Sequence, residues 1–452
     1  MSSNKTLHIE GFALSEDGRT MGRITGPEPV DIGRVVFCQG LMPGESAIAT
    51  LDDDRSKIPQ VRVVDITHPG AERVSSFCPV FGKCGGCTVQ ELSYPALAEE
   101  KTRHVRDCLT RIGKIPADTV LERMAPMLVA GNPVQYRNHM QYHRDVKAPK
   151  NSVRFGLYAS RSHEVVLHET CAIAHPAIDR ARKAVERFFD VFPQVLVDEH
   201  REPDSLVVRA GTQTRQLAYA IKNAAGIRCR YEGLDEYIEH ALREQKLPFE
   251  VNQTQITERI GDRIFRVSID SFFQVNTAQA DALYRRIKEV LPDDAKDHTL
   301  LDLYCGTGSI GLFLADRVRE VVGIEIYKQA IENARDNAKM NDITNARFFV
   351  QPAERFDYAR LNIARPSIVV LDPPRQGCAP ELIEKVKTLL PAHIIYVSCN
   401  PATLARDLRA FIQDCYTIGS VTPVDMFPWT GHVETVVAMS RVEMEKEEHR
   451  AV

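Results

Sequence analysis

Long apolar runs are missing from this 452-residue chain. Nowhere do about 18 apolar residues follow one another, the least that reads as a membrane-crossing helix, so neither a span nor a membrane partner is expected. The first residues, MSSNKTLHIEG, lack the apolar core of a secretory signal, and a cytoplasmic protein is expected. Charge of one sign is not in surplus either: 57 basic residues face 61 acidic ones, a net of −4. That excludes a protein coating nucleic acid by bulk charge, while a local basic patch stays open. There is no internal repeat and no low-complexity tract, only a charged tail after about residue 442. Hydrophobic residues make up 44% and charged residues 26%, which excludes wholesale disorder and suits two or three domains. Cysteine, by contrast, is plentiful: there are eleven. In a reducing compartment they are expected to be ligands, nucleophiles or core residues rather than disulfides.

Along the chain, residues 1–68 read as short strands (LHIEGFALS, RVVFCQG, SAIATL, QVRVVDI) parted by turns at Asp17-Gly18, Pro43-Gly44 and residues 52–54. That pattern predicts a small β-barrel, an architecture that often binds oligonucleotides. Residues 69–265 predict a central α+β domain. It opens with Cys78, Cys84 and Cys87 around Gly85-Gly86, continues in an amphipathic helix over 94–111, and then carries mixed strands. From about 266 to 445, apolar strands of parallel type (LLDLYC, VVGIEI, ARFFV, SIVVLD, HIIYVSC) alternate with helices such as Lys328–Met340 and Pro380–Leu389. This βαβ rhythm predicts a doubly wound, Rossmann-like sheet.

Three loops of that sheet carry chemistry. DLYCGTGSIGL, residues 302–312, is a glycine-rich strand-to-helix turn where Gly306 and Gly308 let backbone approach a ligand. Glu325, ending the next strand, stands where a carboxylate grips ribose hydroxyls. Gly311 completes a G-x-G-x-x-G, so the turn alone does not separate a dinucleotide from S-adenosylmethionine. LDPPRQG places Asp372 in the crevice beyond the strands; Arg375, where an aromatic usually follows the prolines in amine methyltransferases, argues against amine chemistry. VSCNPATLARDL places Cys399 at a strand end, just before an Asn400 cap and Pro401, where a helix N-terminus favours a thiolate. A thiolate adding to C6 of uracil makes C5 nucleophilic toward a methyl sulfonium, and a base must then remove the C5 proton. Glu434, opening the strand VVAM in GHVETVVAMSRV, offers that base, with His432 as competitor.

Taken as a set, DLYCGTGSIGL, DPPRQG, SCNPATLARDL and HVETVV resemble the RNA 5-methyluridine (uracil-C5) methyltransferases over nearly the whole chain. The resemblance implies Cys399 as nucleophile, Glu434 as base, and S-adenosylmethionine contacts from Gln274 in SFFQVN, Tyr304, Ser309, Glu325 and Asp372. The N-terminal segment resembles the RNA-binding TRAM barrel. Cys78-x5-Cys84-Gly-Gly-Cys87 resembles the cluster motif of the 23S rRNA branch, with Cys171 in HETCAIAHP as fourth ligand. Spacing alone allows zinc or a four-thiolate iron–sulfur cluster; the resemblance implies [4Fe-4S]. The chain departs from the pattern at Pro352, before Ala353-Glu354, and at His139, where relatives have Lys. The remaining cysteines, 38, 108, 229, 305, 378 and 415, are expected in packing roles.

Residues 131–163 hold six Lys or Arg and one acidic residue: Arg137, Arg144, Lys147, Lys150, Arg154 and Arg161, interleaved with Tyr136, Tyr142, Phe155 and Tyr158. Such a stretch suits phosphates and unpaired bases. Phe273, Phe427 and Trp429 are candidates for lining a pocket for a flipped base. The expected activity is thus uridine methylation in 23S rRNA, with RNA as partner and no obligate protein partner. The rivals are a transfer RNA uracil methyltransferase, an amine methyltransferase and a non-catalytic RNA-binding assembly factor.

Overall fold

The computed structural model describes residues 6–53, 57–149, 152–196, 202–362, 364–413 and 415–442; residue 54, Lys150 and the charged tail beyond 442 fall outside them. Strands β1 (Thr6–Leu14), β2 (Thr20–Gly26), β3 (Val35–Gln39), β4 (Ser46–Asp53) and β5 (Gln60–His68) close a barrel in the order β1-β2-β3-β5-β4. Alternation along β1 turns Leu7 and Ile9 inward and His8 and Glu10 outward. Strand β2 is the one the sequence hides, because glycines interrupt its pattern. Gly22 is needed there: a Cβ would sit 2.8 Å from the Cys38 sulfur.

Helix α1 (Tyr94–Arg111) matches its predicted span and is followed by α2 (Ala117–Arg123). Ser93 caps α1 by accepting from the Ala96 amide. Its buried face carries Val105, Cys108 and Leu109 into the same core as Leu404 and Leu408 of the C-terminal region. A second sheet runs β11-β10-β9-β6-β7-β8, with β12 on β10. Its strands are β6 (His139–Arg144), β7 (Phe155–Tyr158), β8 (Val165–Val166), β9 (Ser205–Gly211), β10 (Gln216–Lys222), β11 (Arg228–Cys229) and β12 (Glu250–Asn252). Helices α3 (Pro176–Val191) and α4 (Leu234–Glu244) pack Ala181, Phe189, Ile238 and Leu242 against it. A hairpin, β13 (Gln255–Ile260) with β14 (Arg263–Ser268), leads to α5 (Thr277–Glu289).

The last sheet positions the site. It comprises β15 (Thr299–Leu303), β16 (Glu320–Glu325), β17 (Ala346–Val350), β18 (Ile368–Leu371), β19 (His393–Ser398), β20 (Tyr416–Val424) and β21 (Glu434–Arg441). The helices between them are α6 (Ser309–Leu314), α7 (Lys328–Met340), α8 (Pro380–Leu389) and α9 (Pro401–Ile412). The order is β17-β16-β15-β18-β19-β21-β20. Strand β15 pairs in parallel with β16 on one side and β18 on the other, so the strand order reverses at β15. Open sheets bind ligands at such a switch, beyond the carboxyl ends of the strands. Only β21 runs against its neighbours β19 and β20, so its amino end reaches the edge where the parallel strands finish. Among the described residues, no helix is long and apolar enough to cross a membrane.

Candidate active site

The turn after β15 wraps a space that accepts a ligand. Tyr304 takes a positive φ of 63° and its hydroxyl donates to Glu354 at 3.1 Å. At Gly306 (φ 53°) a Cβ would meet nothing within 4 Å, whereas at Gly308 it would lie 3.0 Å from the Phe348 ring. Glu325 accepts from the Gly306 amide at 3.2 Å and the Tyr327 amide at 3.0 Å. Gly311 answers to packing: a Cβ would sit 2.7 Å from Val321, and its amide donates to Asp302. Ser309 shares a 2.8 Å hydrogen bond with the buried Tyr284 hydroxyl of α5. Gln274, also buried, is held through its carbonyl, which accepts from Asn138 at 3.1 Å.

Buried carboxyls ring this turn. Burial pushes Asp302 up to about 8, with Asp372 adding repulsion, and pushes Asp372 up to about 7. Asp302 Oδ1 is buried without a partner. An acidic cradle with an orphaned oxygen and open space at Gly306 fits a ligand carrying positive charge, as S-adenosylmethionine does at its sulfonium and ammonium groups. Asp302, whose carboxyl interrupts the apolar run LLDLYC, was not singled out from sequence.

Cys399 follows β19 and Glu434 opens β21. Ser398 pairs with Thr435 in the antiparallel register, and one more step sets Cys399 opposite Glu434. Directly opposed residues of antiparallel strands face the same side. The thiol does not rest as the thiolate that sequence predicts. Burial, Glu434 and Asp372 push it up to about 12, and Arg375 pulls against them. The α9 terminus contributes little because Asn400 Oδ1 already accepts from the Ala402 and Thr403 amides, at 2.9 and 3.3 Å. Burial and Asp372 push Glu434 up to about 8. His432 is pushed down to about 4 by burial and Arg375; its ring lies 3.3 Å from Arg375 Nη2 and 3.9 Å from Glu16 of the barrel.

Cys78, Cys84, Cys87 and Cys171 line one cavity of about 570 Å³, together with Arg137, Tyr158, Arg375 and His432. Burial pushes Cys87 up to about 12, and the other three thiols act on it in the same direction. Yet among the described residues no group of three or more His, Cys, Asp or Glu side chains converges on a site for a metal ion. All eleven cysteines are free; Cys38, Cys108, Cys229, Cys305 and Cys378 are buried.

The basic stretch differs from its sequence reading. Tyr136, Tyr142 and Phe155 are buried core rings, because β6 and β7 turn them onto α3 and its neighbours. Arg154 is paired bidentately with Asp190, Lys147 with Glu164 and Arg144 with Glu202. Tyr158 stacks on His143 at 3.7 Å on the cavity wall. His139 is interior as well, pushed down to about 3 by burial and by Arg209 across the β6–β9 pair. Of the three pocket candidates, Phe273 and Trp429 are buried in the core and Phe427 lines the cavity.

A doubly wound sheet with a glycine turn, a second-strand carboxylate and an acidic crevice at the switch point defines a Rossmann-like methyltransferase. Residues 234–442 match the family model described as tRNA (Uracil-5-)-methyltransferase. An uncharacterised RNA methyltransferase of Halalkalibacterium halodurans is 33% identical over 424 residues, 89% of this chain and 90% of the relative. One from Chlorobaculum tepidum is 32% identical over 456 residues, 91% and 92% of the two chains. The Pyrococcus abyssi tRNA (uracil-54, C5)-methyltransferase, solved with S-adenosyl-L-homocysteine, shares the fold: TM-score 0.68, 22% identity, 97% of this chain and 100% of that one. The chain belongs to the RNA uracil-5-methyltransferase family and is an S-adenosylmethionine-dependent enzyme.

Proposed function

We propose that this enzyme methylates C5 of a uridine in 23S rRNA through a covalent adduct between Cys399 and C6. The observation carrying this reading is the register that sets Cys399 opposite Glu434 at the crevice mouth, beside Asp372. S-adenosylmethionine supplies an electrophilic methyl group; Gln274, Tyr304, Ser309, Glu325 and Asp372 would hold it. The Cys399 sulfur bonds to C6, and the ring electrons make C5 nucleophilic, so C5 takes the methyl group. Glu434 then accepts the C5 proton. The C–H electrons restore the C5–C6 double bond, and the sulfur leaves with its bonding pair. Since the resting thiol is protonated, the reactive form is scarce in the free protein, and Arg375 favours it. Cys399→Ala should abolish methyl transfer while RNA binding survives; full turnover by that variant overturns the mechanism.

The choice of 23S rRNA rests on the cysteine motif. Four thiols spread around one cavity, without converging on a point, suit a multi-atom [4Fe-4S] cluster held by Cys78, Cys84, Cys87 and Cys171 better than a single zinc ion. Iron and sulfide assay of anaerobically purified protein tests this, and stoichiometric zinc without sulfide refutes it. In the same reading residues 1–68 are a TRAM-like RNA-binding domain, 69–265 the cluster domain and 266–445 the methyltransferase domain, working in the cytoplasm. Transfer RNA is the second reading, favoured by the family description and the whole-chain fold likeness. Mapping 5-methyluridine in RNA from cells lacking the gene separates the two.

A further inference from the structure

Lysine on the packing face of a helix is unusual, and Lys101 of α1 is almost wholly buried: its side chain is 1% exposed, and its partner Asp425 is 0% exposed. Desolvating such a pair costs several kcal/mol per ion, and apolar residues would pack the space as well, so the charges are retained for geometry. Lys101 Nζ donates to Asp425 Oδ1 at 2.6 Å and to the Phe427 carbonyl at 3.0 Å. The Tyr94 hydroxyl, one α1 face earlier, donates to Asp425 Oδ2 at 2.8 Å. From α5, Gln279 donates to the Asp425 carbonyl at 3.0 Å and Asn276 to the Met426 carbonyl at 3.3 Å. The Trp429 carbonyl accepts from the Thr88 and Val89 amides, at 3.0 and 3.1 Å, with Trp429 itself at a positive φ of 67°.

These contacts converge on the connection between β20 and β21. Val424 pairs with Glu434 as the last rung of that hairpin, and Asp425 is the next residue. The clamp therefore grips the root of the loop from which Glu434 emerges. The titratable and charged groups acting with Glu434 are Asp372 and Arg375 after β18, Cys399 after β19 and Tyr284 on α5. None of them lies on α1, so Lys101 acts on the base through the backbone.

We propose that Lys101 and Asp425 are a positioning pair that fixes the loop 425–433, so that Glu434 meets the C5 proton of the Cys399 adduct. This rests on the covalent reading above. Lys101→Met/Asp425→Asn removes both charges while keeping volume, and Tyr94→Phe removes only a hydroxyl. Two probes are used with S-adenosylmethionine: 23S rRNA and transfer RNA transcripts containing 5-fluorouridine, and ordinary total RNA from cells lacking the gene. On the fluorinated transcripts the double variant should form adduct within twofold of the wild-type amount. On ordinary RNA it should release product at least tenfold more slowly, so that adduct accumulates as in Glu434→Gln. The pH midpoint of adduct decay should fall by at least half a unit, because a loosened loop lets water reach the Glu434 carboxyl. Equal losses in adduct formation and release, or release at the wild-type rate, overturn the proposal. Should the double variant not fold, Tyr94→Phe decides: threefold more adduct on ordinary RNA supports the clamp, and the wild-type level overturns it. Failure of the wild-type protein to form any adduct on either set of fluorinated transcripts sinks the covalent reading itself, and is distinguished by that control.

Discussion

Replacing Glu434 by glutamine keeps the shape of the base and removes its charge. With the carboxyl held near 8 by burial and Asp372, about one-tenth is ionised at pH 7 and about nine-tenths at pH 9. In the adduct the Cys399 sulfur is already bonded, so its own titration drops out and Glu434 governs proton removal. The decay of preformed adduct in the wild-type protein should therefore rise roughly tenfold from pH 6 to 7 and level off above about 9. The sign follows from the raised value: the basic form is lost as pH falls through 8. Glu434→Gln should decay about 100-fold to 10,000-fold more slowly, the range for losing a positioned base, with no such pH dependence. A pH jump on adduct formed in a single turnover, followed on a denaturing gel, measures both. Decay in the wild-type protein that is flat between pH 6 and 8, or a glutamine variant decaying at the wild-type rate, would refute the assignment of Glu434 as base.

Arg375→Ala removes the positive group acting on Cys399, so alkylation of that thiol at pH 8 by iodoacetamide should slow about two- to tenfold. Mass spectrometry of the Cys399 peptide reads this, and equal or faster alkylation contradicts it. Gly311→Ala would press a methyl against Val321 and Asp302, and should cost about 1–3 kcal/mol in urea unfolding; unchanged stability would show that α6 can shift. Cys171→Ala should lower iron and sulfide content together if the fourth ligand is correctly assigned, and an unchanged content removes it from the set.

Periodicity made α1, α7 and α8 legible to the residue, because apolar spacing and proline or serine starts agree there. Strand β2 escaped because the glycines that let the barrel wall close also dilute its alternation. The loops bearing Gly306, Asp372 and Cys399 were readable as motifs, since chemistry constrains their residue types. The ionisation of Cys399 was not. A helix start is visible in sequence, but the burial and the two carboxyls that outweigh it come from β18 and β21, distant in the chain. The aromatic residues among the basic stretch misled for a related reason. Composition shows that a ring is present, while only the pairing of β6 and β7 decides which face it takes.

At Gly431 a Cβ would stand 2.6 Å from the carbonyls of Ser15 and Glu16 and 2.7 Å from the Gly18 amide. Backbone meets backbone there, with no side chain between to yield. The N-terminal module is thus keyed into the wall of the reaction chamber rather than hung from a tether. Adaptation during recognition falls on the nucleic acid, which must unstack and bend to a mould that does not swing open to receive it.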